Sequence, residues 1–142
     1  MPIVKEIMSI DVRMISPQAT LRQAAQMMLE LDVGALPVCQ GSTLLGMVTD
    51  RDITVRGVAA GLPLDAACVV DVMTKDLEFC TEDQDTDDVM RTMGYAQVRR
   101  LPVVSTTNEL VGIVSIGDMA RRQPGRIDQA VREITEPPAT PA

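Results

Sequence analysis

The chain contains the same segment pattern twice, and that duplication constrains its fold more than any other feature. Val4-Lys5-Glu6-Ile7-Met8-Ser9 returns as Val69-Val70-Asp71-Val72-Met73-Thr74, an offset of 65 residues. The same offset carries Ser16 to Thr81, Ala24 to Val89, Met28 to Met93 and Leu36-Pro37-Val38 to Leu101-Pro102-Val103. One residue is then inserted, and Gly46-Met47-Val48-Thr49 meets Gly112-Ile113-Val114-Ser115 at an offset of 66, with Asp52 opposite Asp118. The insertion falls between two apolar runs, at Gly41-Ser42-Thr43 against Thr106-Thr107-Asn108, where a hairpin turn tolerates an extra residue. Each copy is too short to bury both faces of a sheet alone, so two copies must complete one another.

Each repeat reads as strand, helix, strand, strand, helix. In the first, Arg13 to Ser16 is a short strand, and Leu21, Ala24, Ala25, Met28 and Leu31 recur at helical spacing. Ala35 to Cys39 and Leu44 to Val48 form a hairpin, and Thr49 to Ala60 is a second helix opening on a polar cap. The second repeat gives a strand at Leu77 to Cys80, a helix over Asp85 to Ala96, a hairpin of Leu101 to Ser105 with Leu110 to Val114, and a helix from Ser115. The expected fold class is α/β (α+β): two βαββα repeats packed sheet to sheet with pseudo-twofold symmetry. The expected boundaries are 1–60 for repeat 1, 61–68 for a linker around Gly61-Leu62-Pro63-Leu64-Asp65, and 69–122 for repeat 2. Residues 123–142 hold a terminal helix, Arg126 to Ile134, and a disordered tail with Pro137-Pro138 and Pro141, after Pro124-Gly125 ends the repeat.

Composition removes several functional classes. The chain has 142 residues and no His, which excludes Ser-His-Asp and Cys-His nucleophile systems and HExxH metal sites. With 13 Lys+Arg against 20 Asp+Glu the net charge is −7, so a nucleic-acid backbone would be repelled. Phe79 and Tyr95 are the only aromatic residues and cannot make a base-stacking platform. Ten Met residues fill an aliphatic core. Cys39, Cys68 and Cys80 have no CxxC spacing and read as reduced core thiols of a cytoplasmic protein without membrane span or export signal. No paired-carboxylate site, GxGxxG or Walker loop is present, so no enzyme activity is expected.

The order of elements, the Leu-Pro-Val strand and the Gly-apolar-Val-Thr/Ser-x-x-Asp element together resemble a tandem pair of cystathionine-β-synthase (CBS) domains, a Bateman module. The resemblance covers residues 4 to 122 and rests most on Gly46-Met47-Val48-Thr49-Asp50-Arg51-Asp52 and Gly112-Ile113-Val114-Ser115-Ile116-Gly117-Asp118. The chain is similar to small stand-alone paired-CBS proteins of bacteria, some of stress- or hypoxia-response type. It implies a regulatory module that binds an adenosyl ligand (AMP, ADP, ATP, NAD or S-adenosylmethionine) in clefts between repeats and changes its contacts with a protein effector. No cofactor is required; the expected ligand is AMP or ATP.

The Thr/Ser-x-x-Asp element suits that role physically. A strand ending at Val48 hands over to a helix starting at Thr49, so a hydroxyl and free backbone N–H groups face one place, where a phosphate is favoured. One turn on, the Asp52 carboxylate can accept from two ribose hydroxyls. The same residues also fit a capping box with Asp in place of Glu, a purely structural use. By resemblance, the better cleft takes Ile113, Ser115 and Asp118 with Arg99 and Arg100, and Ser9, Val33, Gly34 and Ala35 from the first repeat. Two guanidiniums there favour an anion, and Gly117 leaves space near the phosphates. The second cleft takes Met47, Thr49 and Asp52, facing Thr74, Val98 and Arg99. Its own repeat offers Gly34 and Ala35 where the other has arginines, while Asp50 adds negative charge and Arg51 compensates.

Other readings stay open at this point. Arg99 and Arg100 could be solvated strand-edge charges, and the fold could serve as a nucleotide-independent interaction dimer. Cys39 or Cys68 could sense oxidants, which requires a low-pKa exposed thiol. Glu82, Asp83, Asp85, Asp87 and Asp88 suit a helix start better than a metal site. Met27-Met28 and Met90 with Met93 suit core or dimer surface. Helices Thr20 to Leu31 and Asp85 to Ala96 retain Met and Ala positions to cover, and the resemblance implies a homodimer in a flat, four-repeat disk.

Overall fold

The computed structural model describes residues 2–122 and 128–135. The chain divides into two compact units that do not follow the repeats. The first gathers Arg13–Leu77 with Asn108–Leu110; the second gathers residues 2–12, Glu78–Thr107 and the described residues from Val111 onward. Each repeat thus contributes its leading segment to the unit built mainly from the other.

In the first unit, helix α2 (Leu21–Leu31) starts at a complete capping box. The Thr20 hydroxyl accepts the Gln23 N–H at 3.1 Å, and Gln23 Oε1 accepts the Thr20 N–H at 2.9 Å. Leu21, Ala24 and Met28 form the buried face, and Asp32, in the left-handed region at φ 54°, ends the helix. Strands β1 (Ala35–Gln40) and β2 (Thr43–Thr49) pair antiparallel, with an irregularity between Val38 and Cys39. The α2 face packs with Leu36, Val38, Val48 and Ile53, and Val69, Val72 and Met73 complete the core. Those last three belong to the start of the second repeat, where a 3₁₀ turn spans Val69–Asp71. Fully burying Leu21 contributes about 1.5–3 kcal/mol.

In the second unit, α1 (Val4–Ile7) precedes β3 (Cys80–Thr81), α4 (Thr86–Ala96), β4 (Arg100–Val104), β5 (Leu110–Ser115) and α5 (Ile116–Arg122). A last helix, α6 (Asp128–Thr135), packs on α4. Asp85 caps α4 by accepting the Asp87 N–H at 2.8 Å, which accounts for part of the acidic run. Val89, Met90 and Met93 of α4 meet Leu101, Val103, Val114 and Met119 in the core. Val4, from the start of the first repeat, is fully buried among them, and its N–H donates to the Gln84 carbonyl at 2.9 Å.

Three expected elements differ. Arg13–Ser16 is not a strand; it makes one parallel bridge, Ile15 to Val38. Pro17 follows at once and Pro37 lies opposite, and neither has an N–H to extend the ladder. Its counterpart, expected at Leu77–Cys80, is the two-residue β3 at Cys80–Thr81, parallel to Val103–Val104. The helix expected over Thr49–Ala60 is one α turn, α3 (Asp50–Asp52), continued by a π-helix over Ile53–Val58. The wider coil buries Gly57 where an added Cβ would lie 2.9 Å from Leu21 Cδ1. The terminal helix expected at Arg126–Ile134 is α6. Pro124-Gly125, Pro137-Pro138 and Pro141 lie outside the described residues.

Candidate functional site

Each unit contains a strand that runs into a helix through a hydroxyl residue, with an aspartate three positions on. In the first unit β2 ends at Thr49, whose backbone is extended (φ −112°, ψ 162°) before the chain turns helical. The Thr49 hydroxyl accepts the Asp52 N–H at 3.0 Å, and Asp52 Oδ2 accepts the Thr49 N–H at 3.0 Å. In the second unit β5 ends at Ser115, whose hydroxyl accepts the Asp118 N–H at 3.1 Å, while Asp118 Oδ2 accepts the Ser115 N–H at 2.9 Å. Both Thr/Ser-x-x-Asp elements are therefore complete capping boxes.

The two aspartates are the buried carboxylates of the described residues, at 7% and 6% exposure. Ionised carboxylates at that depth need several partners. Asp52 has the Thr49 N–H, the Thr74 hydroxyl at 3.5 Å and Arg56 Nε 3.9 Å from Oδ1. Asp118 has the Ser115 N–H on Oδ2 and Arg121 on Oδ1. Sequence reasoning missed Arg56 and Arg121. Their signal was available, since Asp52/Arg56 and Asp118/Arg121 stand at the i,i+4 and i,i+3 spacings of helical ion pairs.

A leading segment from the other repeat lies against each junction. Thr74 and Met47 exchange both backbone hydrogen bonds at 2.8 and 3.0 Å, and so do Ser9 and Ile113. The strand glycines make this approach possible. A Cβ on Gly46 would stand 2.6 Å from the Thr74 carbonyl oxygen; one on Gly112 would meet Met8 Sδ at 2.7 Å and the Ser9 carbonyl at 2.8 Å.

The loop before each hairpin is also tied to its junction. The Asp50 N–H donates to the Gly34 carbonyl at 2.9 Å, and the Ile116 N–H to the Arg99 carbonyl at 2.9 Å. The junctions differ in charge at these equivalent places. A Cβ on Gly34 would lie 3.1 Å from an Asp50 carboxylate oxygen, whereas the second unit has Arg99 and Arg100 facing solvent and Ile116 in place of Asp50. Among the described residues no hydrogen-bond or ion-pair partner engages either guanidinium.

Of the residues expected at the better cleft, Ser9, Arg99, Arg100, Ile113, Ser115, Gly117 and Asp118 belong to the second unit. Val33, Gly34 and Ala35 belong to the first. For the second cleft, Met47, Thr49, Asp52 and Thr74 share the first unit, with Asp50 and Arg51, and Val98 and Arg99 belong to the second. A groove of about 360 Å³ in the first unit, lined by Ile15, Ala19, Gln23, Gln26, Met27 and Glu30, contains none of them.

The thiols are poorly placed for oxidant sensing. Cys39 and Cys80 are buried, which raises the first and pushes the second up to about 12. Cys68 is half-buried at the start of a 3₁₀ turn; its Sγ–H donates to the Ala66 carbonyl at 3.8 Å, and its backbone N–H donates to Asp71 Oδ2 at 2.9 Å. Among the described residues no three His, Cys, Asp or Glu side chains are grouped to hold a metal, and no helix is long and apolar enough to cross a membrane.

Two units built on equivalent strand–hydroxyl–helix–aspartate junctions define a paired α+β fold, and the family model for the CBS domain matches residues 4–56 and 69–125. The chain belongs to the CBS-domain family as a tandem pair. It is 39% identical over 137 residues to Hypoxic response protein 1 of Mycobacterium tuberculosis, covering 95% of both chains. The crystal structure of Hypoxic Response Protein I with two coordinated zinc ions superposes with a TM-score of 0.79 at 38% identity, over 86% of this chain and 99% of that one. This chain has no His and, as above, no such grouping among its described residues. The crystal structure of CBSX2 in complex with AMP superposes at a TM-score of 0.73 with 25% identity, over 84% and 94% of the two chains.

Proposed function

We propose that the protein is a cytoplasmic, non-catalytic sensor that binds an adenosyl ligand, AMP or ATP foremost, and passes its occupancy to a protein effector. The observation that carries this is the second unit's junction. A buried aspartate follows Ser115, and two exposed guanidiniums without partners among the described residues, Arg99 and Arg100, stand on the loop and strand whose backbone is bonded to that helix start. A carboxylate for a vicinal diol and guanidiniums for phosphate are the two recognition elements of a nucleotide. The AMP complex of CBSX2 supports the choice of ligand. The first unit's junction, with Gly34 and Asp50, is the weaker of the two. Exposed apolar side chains on the helices support self-association, so a second copy of the chain is part of this reading.

A second reading is favoured by one observation: both Thr/Ser-x-x-Asp elements are closed capping boxes, so their hydrogen bonds serve the fold. In that reading the chain is an interaction module without a ligand. Calorimetric titration of wild type, Asp118→Ala and Asp52→Ala with AMP and ATP separates the two. Ligand at about a hundred times its Kd stabilises wild type by about 2.7 kcal/mol. Asp118→Ala lowers affinity tenfold to more than a hundredfold, about 1.5–3 kcal/mol, and Asp52→Ala has a much smaller effect. No heat with wild type supports the interaction module; equal binding by all three proteins removes the aspartates from the ligand site.

A further inference from the structure

The first unit's junction already holds an anion of its own. The Asp50 side chain turns back on the backbone, where Oδ1 accepts the Arg51 N–H at 2.8 Å. Oδ2 lies 3.1 Å from where a Gly34 Cβ would stand, over the loop whose carbonyl accepts the Asp50 N–H. Thr49 and Asp52 take each other's N–H through the capping box. The N–H groups of Thr49, Asp50, Arg51 and Asp52 are thus all engaged from within the chain, one of them by a carboxylate. Asp50 is exposed, and among the described residues no cation pairs with it. The compensation expected from Arg51 is not made through an ion pair; its backbone N–H, not its guanidinium, holds Asp50. A phosphate arriving here would meet a like charge seated on the donor it needs.

In the second unit Arg99, Ile116 and Gly117 stand where the first has Gly34, Asp50 and Arg51. Ile116 has no oxygen with which to take the Gly117 N–H. Where a Gly117 Cβ would be, the Ser115 hydroxyl is 3.5 Å away and an Arg121 guanidinium nitrogen 3.9 Å. Each junction therefore keeps a space cleared by a glycine, but the first lines it with a carboxylate and the second with a guanidinium.

We infer that Asp50 sets the ligand class of the first junction: it excludes a 5′ phosphate and admits an adenosyl ligand whose 5′ group is uncharged or cationic, leaving AMP and ATP to the second junction. This rests on the ligand-sensing function proposed above, with Asp52 as the ribose acceptor. The two junctions then answer to different ligands instead of being a strong and a weak copy of one site.

Calorimetric titration of Asp118→Ala, which leaves the first junction intact, tests it with three probes: cationic S-adenosylmethionine, neutral 5′-methylthioadenosine and anionic AMP. The first two are expected to bind, and AMP to bind at least about tenfold more weakly than the neutral probe. Adding Asp50→Ile gives the first junction the second's residue. AMP affinity then rises at least about tenfold, S-adenosylmethionine affinity falls, and that of 5′-methylthioadenosine changes by less than about threefold. Asp50→Asn, which keeps an acceptor oxygen and removes the charge, shifts AMP and S-adenosylmethionine in the same directions. Thermal melts check that each variant is folded. AMP bound by Asp118→Ala as tightly as the neutral probe, or an AMP affinity that both Asp50 variants leave unchanged, overturns the role of Asp50 while the ligand-sensing function stands. So does a wild type that binds AMP when Asp118→Ala binds none of the three probes. A wild type that binds none of them overturns the ligand-sensing function, and this inference with it.

Discussion

Arg121 holds the one oxygen of Asp118 that the capping box leaves over: Oδ2 takes the Ser115 N–H, and Oδ1 takes the guanidinium. A ribose diol approaching this carboxylate must share Oδ1 with Arg121. The Arg121 side chain is 74% exposed, so the pair is worth less than about 1 kcal/mol. Arg121→Ala is therefore expected to tighten AMP binding, by up to about fivefold, and to leave the melting temperature nearly unchanged. Calorimetric titration and a thermal melt of the variant check both. Weaker binding would show that Arg121 contacts the ligand itself.

Arg99 and Arg100 make a different prediction. Exposed charges act on a phosphate through solvent, where salt screens them over a Debye length of about 8–10 Å. ATP affinity is expected to fall as ionic strength rises from about 0.05 to about 0.5 M. In Arg99→Ala/Arg100→Ala that dependence flattens, and adenosine, which has no phosphate, binds equally to both proteins. Titrations at three salt concentrations give the slopes.

Gly46 and Gly112 are predicted to be intolerant of even one methyl group. In each case the nearest backbone atom is a carbonyl oxygen of the leading segment, which cannot rotate aside as a side chain can. Gly46→Ala and Gly112→Ala are expected to cost about 1–3 kcal/mol in urea unfolding. Gly46→Ala should also speed hydrogen exchange at the Thr74 amide, which donates to the Met47 carbonyl.

Burial of Cys80 predicts an alkaline weakness. Its thiol is pushed up to about 12, against an ordinary value near 9.0. Between those values the unfolded chain has lost the proton and the folded chain keeps it, so stability falls as pH rises. The contribution is fully present below about pH 9 and is lost on the way to about 12. Melting temperature plotted from pH 8 to about 10.5 is expected to fall less steeply in Cys80→Ala than in wild type. Cys39, raised by the same cause, acts in the same direction.

The elements most legible in the sequence were those fixed by local periodicity. The α2 and α4 spacing, the two hairpins and the paired Thr/Ser-x-x-Asp junctions all declare themselves within one element. Ile15 did not, because whether a short apolar run makes a strand depends on its neighbour, and here Pro37 offers a carbonyl but no N–H. The π-helix was hidden for a similar reason, since Gly57 takes its position from Leu21, a residue on another element. At the junctions, Thr49, Asp52, Ser115 and Asp118 stood out through duplication. Arg56 and Arg121 did not, because outside the repeated motif they read as ordinary surface arginines. The strand glycines were visible as letters, but the carbonyls of Thr74 and Ser9 that require them are distant in sequence.

The crossing of the leading segments bears on how the chain is made. Synthesised from its N-terminus, Val4–Ser9 emerges long before Gln84 and Ile113, the residues whose backbone it bonds, and it must wait without them. The first unit can gather its core only once Val69, Val72 and Met73 have followed, at the start of the second repeat. Neither repeat is thus a stopping point at which a nascent chain could be released folded. A ribosome stalled between them would carry an unfinished sheet and an unattached Val4, the exposed apolar surface that chaperones recognise.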